Sequence, residues 1–579
     1  AEEYEAYKKS IQYQLKNKIV PAVFAGMIIL VVSFGLFEFG KNCIYIPAKA
    51  SSLYRQGYNM LLADEYPQSK EKFYAATEYQ KKKKWYFKYA RGYRDRKQYI
   101  TAEEIYKKIL SDFKHDKEAG IEYARMNLDD LANYERAEEI CRREVLDYHV
   151  NDEEGILLLG DIFLEWGTEK EPAKLEDAKE QYNNLLQLYK NQNLYLSRLM
   201  RYYIRTDNLP EVIPLKERFL PKEKNLCAED WTELSGYLLD KLYGPLPPSR
   251  EYLREYIEDV KLLLARAVKM DPSSPVAYYN LSRYYIETNE ALSAKESLIK
   301  TIDNFNNSKI IRRRDMYKFI DAYRLSGEEY SKAKEYMRAQ EFYTQGITLF
   351  TQERDNSGLP GTVKVGILFA DQADIDYFIS GDYDNALQNY IYSLKLENDS
   401  SSIRYKIGYI QYKNSNYTEA FGSFMKAGDG TNKEPNLLLA MGNTLAIRGD
   451  NYPAQGYYEK LVDKLEEKIA EKGTDLVQGA KGFEELITLY LYATNNYGVT
   501  LNRLDQRTGS SAYNAESIVQ LSQSLRAWDA LTRNKETMTR LGGSNLPQEN
   551  IRYITHPVPD FQPSIFIEIP KTISDSETF

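Results

Sequence analysis

The chain is poor in the residues that carry chemistry. It has three histidines in 579 residues, His115, His149 and His556, and none is paired at helical metal-ligand spacing, so no His-Glu-x-x-His site exists. Its three cysteines, Cys43, Cys141 and Cys227, give neither a disulfide framework nor a metal-binding spacing. Cys141 stands where a packing residue belongs, which predicts a free, buried thiol. No phosphate loop of the form Gly-x-x-x-x-Gly-Lys-Ser/Thr occurs; Gly358, Gly361 and Gly366 are too scattered to form one. There is no Gly-x-Ser-x-Gly elbow and no dinucleotide fingerprint after a strand. Acidic pairs are plentiful, and on helices most such pairs are solvated. The expectation is a protein that is not an enzyme, with no catalytic residue, no cofactor, no metal and no small-molecule substrate. A net charge of −8 and a pI near 5.5 speak against general nucleic-acid binding.

What the chain does have is a period. Gly381–Tyr390, Ser415–Phe424 and Gly449–Tyr458 align at a spacing of 34 residues, with Ala386, Ala420 and Ala454 in register and Tyr390, Phe424 and Tyr458 one turn later. Gly408 and Gly442 are also 34 apart. Small residues at two fixed points and an aromatic four residues after the second make a helical hairpin: the small residues let two helices approach, and the aromatic fills the gap to the next hairpin. The Gly-Asp or Ser-Asn pair before each second helix makes the turn and offers a capping oxygen. This period and pattern resemble the tetratricopeptide (TPR) repeat, a stacking helical hairpin. Worn copies are visible upstream. Gly57 and Phe73 mark the first. Tyr86, Tyr89, Ala90, Tyr93, Ala102 and Tyr106 fit the next, followed by Ile121, Ala124, Leu128, Ala137 and Cys141. Leu159-Gly160 with Ala178–Tyr182 keeps the pattern around a short insertion at Thr168–Leu175, and Tyr278, Leu281, Tyr285, Ala294 and Leu298 fit a later copy. The resemblance implies an all-α, TPR-type α-solenoid, which holds other proteins and has no chemistry of its own. The 51 tyrosines have two readings: TPR positions favour aromatics, or a groove is lined with tyrosine.

Ile19–Phe37 runs without a charge, long enough to cross a bilayer core as a helix. Lys8, Lys9, Lys16 and Lys18 precede it, against Lys41, Lys49 and Arg55 after it, so the N-terminus is expected in the cytoplasm and the repeats in the periplasm. A cleavage site is not apparent, because Ala48-Lys49-Ala50 lies too far downstream, and Gly40-Lys41-Asn42 before Cys43 does not suit a lipoprotein signal. An uncleaved single-pass anchor in the cytoplasmic membrane is therefore expected. The organisation then reads as follows: a cytoplasmic arm at 1–18, a transmembrane helix at 19–38 and a TPR array over 51–243. The breaker-rich Gly244–Ser249 is the candidate joint. A second array covers 250–470, closing helices 475–540, and an extended, proline-bearing tail 545–579. The run Ser564–Ile569 is expected to dock, either on a partner's sheet edge or in a TPR groove, with a free end as the alternative.

TPR arrays bind partners along the face lined by their first helices. The outward positions there are Tyr405, Tyr409, Tyr412 and Lys413 in one repeat, and Leu439, Asn443 and Ile447 in the next. Upstream they are Phe87, Arg91, Arg94 and Asp95, and Tyr279, Arg283 and Ile286. Tyrosine and arginine are frequent interface anchors; the alternative is that these side chains pack against neighbouring repeats. Lys81–Lys84 and Arg312–Arg314 are basic runs, solvated or facing an acidic partner or lipid head groups. The whole layout, an anchor followed by a long Tyr- and Lys-rich repeat array without catalytic motifs, resembles the TPR proteins of the spirochaete periplasmic flagellar collar. That resemblance implies a scaffold around the motor, with collar and stator proteins as partners. An ancillary factor of protein translocation or envelope assembly is the alternative.

Overall fold

The computed structural model describes residues 2–190, 192–221, 226–308, 311–428, 434–473, 476–533, 545–557, 559 and 561–574. Parts of the expected 475–540 and 545–579 segments lie outside them. The described chain is helical, and among the described residues there is no strand. It folds as two compact units, residues 1–288 with 303–312 and residues 289–302 with 313–579.

The first unit begins with one helix, Ile11–Leu62, long and apolar enough to cross a membrane. Its apolar section, Val20–Phe39, contains no buried residue. Twenty helical residues rise roughly 30 Å, the thickness of a bilayer's hydrocarbon core. Through a wider turn at Gly40–Tyr45 the helix continues as Ile46–Leu62, which buries Ala50, Tyr54, Gly57 and Leu61 against Tyr66–Tyr79. The apolar section and the first repeat therefore share one helix. Successive hairpins follow: Lys83–Asp95 with Tyr99–Asp112, Lys117–Arg125 with Tyr134–Ile140, Glu153–Glu169 with Lys174–Leu188, Gln192–Arg205 with Leu209–Phe219, and Ala228–Tyr243 with Val260–Met270. Gly244–Ser249, the expected joint, lies inside this unit as part of the last hairpin's connection. There the Arg254 guanidinium donates to the carbonyls of Lys241 (2.9 Å) and Gly244 (3.1 Å). Cys141 is fully buried, and burial pushes its thiol up to about 12.

The second unit stacks five hairpins: Arg313–Lys332 with Tyr336–Ser357, Val363–Ile375 with Tyr383–Lys395, Ser401–Lys413 with Tyr417–Ala427, Pro435–Arg448 with Asn451–Glu471, and Glu484–Thr508 with Ser511–Thr532. Ala386, Ala420 and Ala454, and with them Tyr390, Phe424 and Tyr458, are all fully buried. The aromatic ring does more than fill the gap to the next repeat; it lies on the glycine of its own hairpin's first helix. A Cβ on Gly408 would stand 2.6 Å from the Phe424 ring, and one on Gly442 would stand 2.6 Å from Tyr458. Both pairs are 16 residues apart. Gly160 and Tyr182 make the same contact, at 2.6 Å, over 22 residues, because the insertion lengthens the turn between them. Only the absence of a side chain permits so close an approach.

The tail differs from its expectation. Its start is not extended: Leu546–Thr555 is a helix packed on the Ser511–Thr532 helix. The Asn545 side chain caps it by accepting from the Gln548 amide, and Pro547 sits in the first turn, where the missing N–H has no partner to lose. Counting prolines hid this helix. From 561 to 570 the chain has neither helix nor strand.

Candidate partner-binding groove

In the second unit, the first helices of successive hairpins present one continuous face, and residues 563–573 of the tail lie on it. Tyr405 and Tyr412 are seven residues apart, two helical turns, so they point the same way about 10.5 Å apart. Their hydroxyls donate to the carbonyls of Pro570 and Ile567, both at 2.8 Å. Three extended residues span roughly 10 Å, so the two spacings match, and the tail runs antiparallel to the helix. Asn436 and Asn443 repeat the seven-residue spacing on the next first helix and donate to the carbonyls of Thr572 (3.1 Å) and Phe566 (3.0 Å). Tyr377 donates to the Lys571 carbonyl at 2.8 Å.

Two asparagines each hold one residue by both its main-chain amide and its carbonyl. Asn496 donates to the Phe566 carbonyl and accepts from the Phe566 amide, both at 2.8 Å. Asn550 does the same to Ser564, donating at 2.9 Å and accepting at 3.1 Å. They are linked: Asn550 donates to Asn495, Asn495 to Asn496, Asn496 to Asn443, and the Tyr458 hydroxyl also to Asn443. Asn443, Asn495, Asn496 and Asn550 are all fully buried. A buried amide without partners costs about 1–3 kcal/mol, and here the tail's main chain supplies them. The tail in turn has no strand beside it, so these side chains satisfy its backbone. Burial holds the phenols of Tyr409 and Tyr412 above their ordinary range, which keeps them protonated; for Tyr409 the neighbouring Tyr383 adds to the effect.

Side-chain contacts are fewer. Pro563, Ile565 and Ile569 are buried, and both isoleucines join the unit's apolar core. Phe566 stacks on Tyr492, with ring centroids 4.5 Å apart. Ile567 is 57 % exposed, and Ser564, Glu568 and Lys571 face outward.

Of the residues expected to meet a partner, Tyr405 and Tyr412 thus hold the tail. Tyr409 is buried beside Tyr377 and Tyr383, and Lys413 is exposed with its ammonium over the Tyr409 ring at 5.8 Å. Asn443 holds the tail too, Leu439 and Ile447 pack in the unit's core, and the others belong to the first unit. Phe87 is buried under Arg91, 5.2 Å from its ring. Arg91 pairs with Glu118 (2.8 Å) and Glu122, and Arg94 with Asp130 and Asp129, all on the next hairpin. Tyr279 is buried, with Arg283 over its ring and paired to Asp240. In the Lys81–Lys84 run, Lys81 pairs with Asp112 (2.6 Å), Lys82 bonds to Ser51, and Lys83 pairs with Asp116. Sequence reasoning missed Tyr377, Asn436, Asn495, Asn496 and Asn550. An adjacent asparagine pair inside the otherwise apolar stretch of Glu484–Thr508 is the signal that could have found the clamp. Among the described residues no group of three or more His, Cys, Asp or Glu could hold a metal.

No family model matches the chain, and no curated protein matches it. Solved structures do. The chain is similar to Pseudomonas aeruginosa PilF (16 % identity, TM-score 0.31, covering 40 % of this chain and 91 % of that one). It is similar to yeast Tom70 (14 %, TM-score 0.25, 72 % and 92 %) and to human IFIT1, solved as a dimer with PPP-AAAA (13 %, TM-score 0.37, 72 % and 94 %). At such identities and scores the functional reading has to come from the groove residues themselves.

Proposed function

We propose that this chain is a membrane-anchored, non-enzymatic scaffold that assembles other proteins through its TPR-type hairpins. The observation that carries this is the groove: eight helix side chains holding the nine residues 564–572 of extended chain by main-chain atoms, which is how a scaffold receives a protein segment. The bare apolar section Val20–Phe39 supports single-pass anchoring, and the lysine excess before it supports a periplasmic array. On the resemblance to collar proteins, the assembly is the flagellar collar that supports the motor's stators.

Location is tested with the native thiols. Cys43 and Cys227 are exposed and Cys141 is buried. A membrane-impermeant maleimide should label the first two in intact spheroplasts; labelling that needs lysis would put the repeats in the cytoplasm. The assembly itself is tested by recovering crosslinked partners from native membranes.

A further inference from the structure

We propose that the groove of the second unit is an exchangeable receptor for an extended peptide, and that the chain's own tail occupies it as a stand-in for a partner's segment. This deepens the scaffold reading and rests on it. The occupant it takes is an extended stretch with branched aliphatic residues four apart, an aromatic directly after the first and a proline after the second.

That chemistry is read from the seated tail. The hydrogen bonds from the helices go to main-chain atoms: the carbonyls of Ser564, Phe566, Ile567, Glu568, Pro570, Lys571 and Thr572, and the amides of Ser564 and Phe566. Main-chain recognition is indifferent to sequence, so it cannot reserve the groove for one segment. Selectivity falls to the sockets of Ile565 and Ile569, the Tyr492 shelf under Phe566 and the turn at Pro570. The outward side chains Ile567 and Glu568 are exposed and leave those positions open to any residue. The fixed donors at Tyr405, Tyr412, Asn443 and Asn496 sit on rigid helices, so the site is pre-organised for whichever segment enters.

The test uses the full chain in detergent, with a protease site inserted after His556 so that it folds intact and is cut afterwards. The probe is a fluorescent peptide of residues 561–574, followed by anisotropy. The nicked chain should take up the probe reversibly and release it to unlabelled peptide, while the uncut chain takes up at least tenfold less. Probe peptides with Ile565→Ala or Ile569→Ala should bind at least tenfold more weakly, and Ile567→Ala or Glu568→Ala within twofold of the parent. Asn496→Leu in the receptor should reduce uptake at least tenfold with the helical signal retained. Overturning results are a nicked tail that leaves only when the unit melts, or equal losses for inward and outward substitutions. Concentration-dependent dimers of the uncut chain linked through exchanged tails would also overturn it, making a second copy the occupant. The two readings fail separately. Exchange without partners recovered from membranes sinks the scaffold, and partners recovered without exchange sink the receptor.

Discussion

Asn496→Leu is the sharpest perturbation of the groove. Asn496 makes four hydrogen bonds: to the Phe566 carbonyl, from the Phe566 amide and to Asn443, each at 2.8 Å, and from Asn495 at 3.1 Å. Leucine is close in volume but can make none of them. The Phe566 carbonyl keeps its bond from Asn443 at 3.0 Å, whereas the Phe566 amide has no replacement. An unpaired buried donor costs about 1–3 kcal/mol, and each other lost bond a net 0.5–1.5 kcal/mol or so, part of which relaxation recovers. The tail's docking should weaken by about 2–4 kcal/mol. At about 1.4 kcal/mol per decade, exchange of the tail's hydrogen-bonded amides, those of Ser564 and Phe566, should quicken by roughly 30- to 700-fold. Hydrogen–deuterium exchange with peptide resolution reads this directly. Asn514→Leu is the control, since it loses one 3.3 Å contact to Asp505 at the periphery and should leave the tail's exchange unchanged. If Asn496→Leu leaves the tail's protection within about threefold of the parent, the clamp contributes nothing and the argument from buried amides fails.

Further predictions concern the frame. Gly442→Ala forces a methyl into the Tyr458 ring and should destabilise the second unit by about 1–3 kcal/mol in denaturant titrations, whereas Gly422→Ala and Gly456→Ala, helical sites with nothing within 4 Å, should each stabilise it by about 0.5–1 kcal/mol. Arg201, buried against Asp230 (2.6 Å) and Glu229 (3.2 Å), should cost about 3–5 kcal/mol when replaced by alanine, and the half-exposed Arg91 less than about 1 kcal/mol by the same titration. Cys141, with its thiol held up at about 12 by burial, should resist maleimide at pH 8 until the first unit unfolds; labelling at the rate of Cys43 would contradict its placement.

The fold was legible because the repeat states one physical requirement many times. The glycine at 408, the alanine at 420 and the aromatic at 424 are a single contact set, and the copies at 442, 454 and 458 repeat it. The groove was half legible. Tyr405, Tyr412 and Asn443 stand at outward positions of first helices, and the Ser564–Ile569 run was expected to dock. What the period could not express is that these belong together: Tyr405 meets Pro570 at a separation of 165 residues, and Asn443 meets Phe566 at 123. Such pairings follow from the stacked helices and leave no local pattern. Asn495 and Asn496 carry no signal of their own in the period, because asparagine in a helix usually faces water. Arg91 and Arg94 drew notice as interface types, while the acids that take them, Glu118, Glu122 and Asp130, lie 27 to 36 residues on. That separation, close to one repeat, is where an ion pair between neighbouring hairpins falls.

The central claim, an anchored scaffold that holds other proteins, is tested most directly by crosslinking the full chain in native membranes, purifying it and identifying the crosslinked peptides by mass spectrometry. The account predicts recovery in the membrane fraction, with crosslinks from the second unit's groove rim to a defined set of other membrane-associated proteins. Stator and collar proteins among them would identify the assembly as the flagellar collar, and translocation or envelope-assembly proteins would replace that identity. Recovery of the chain from the soluble fraction, with crosslinks only to itself, would contradict the account.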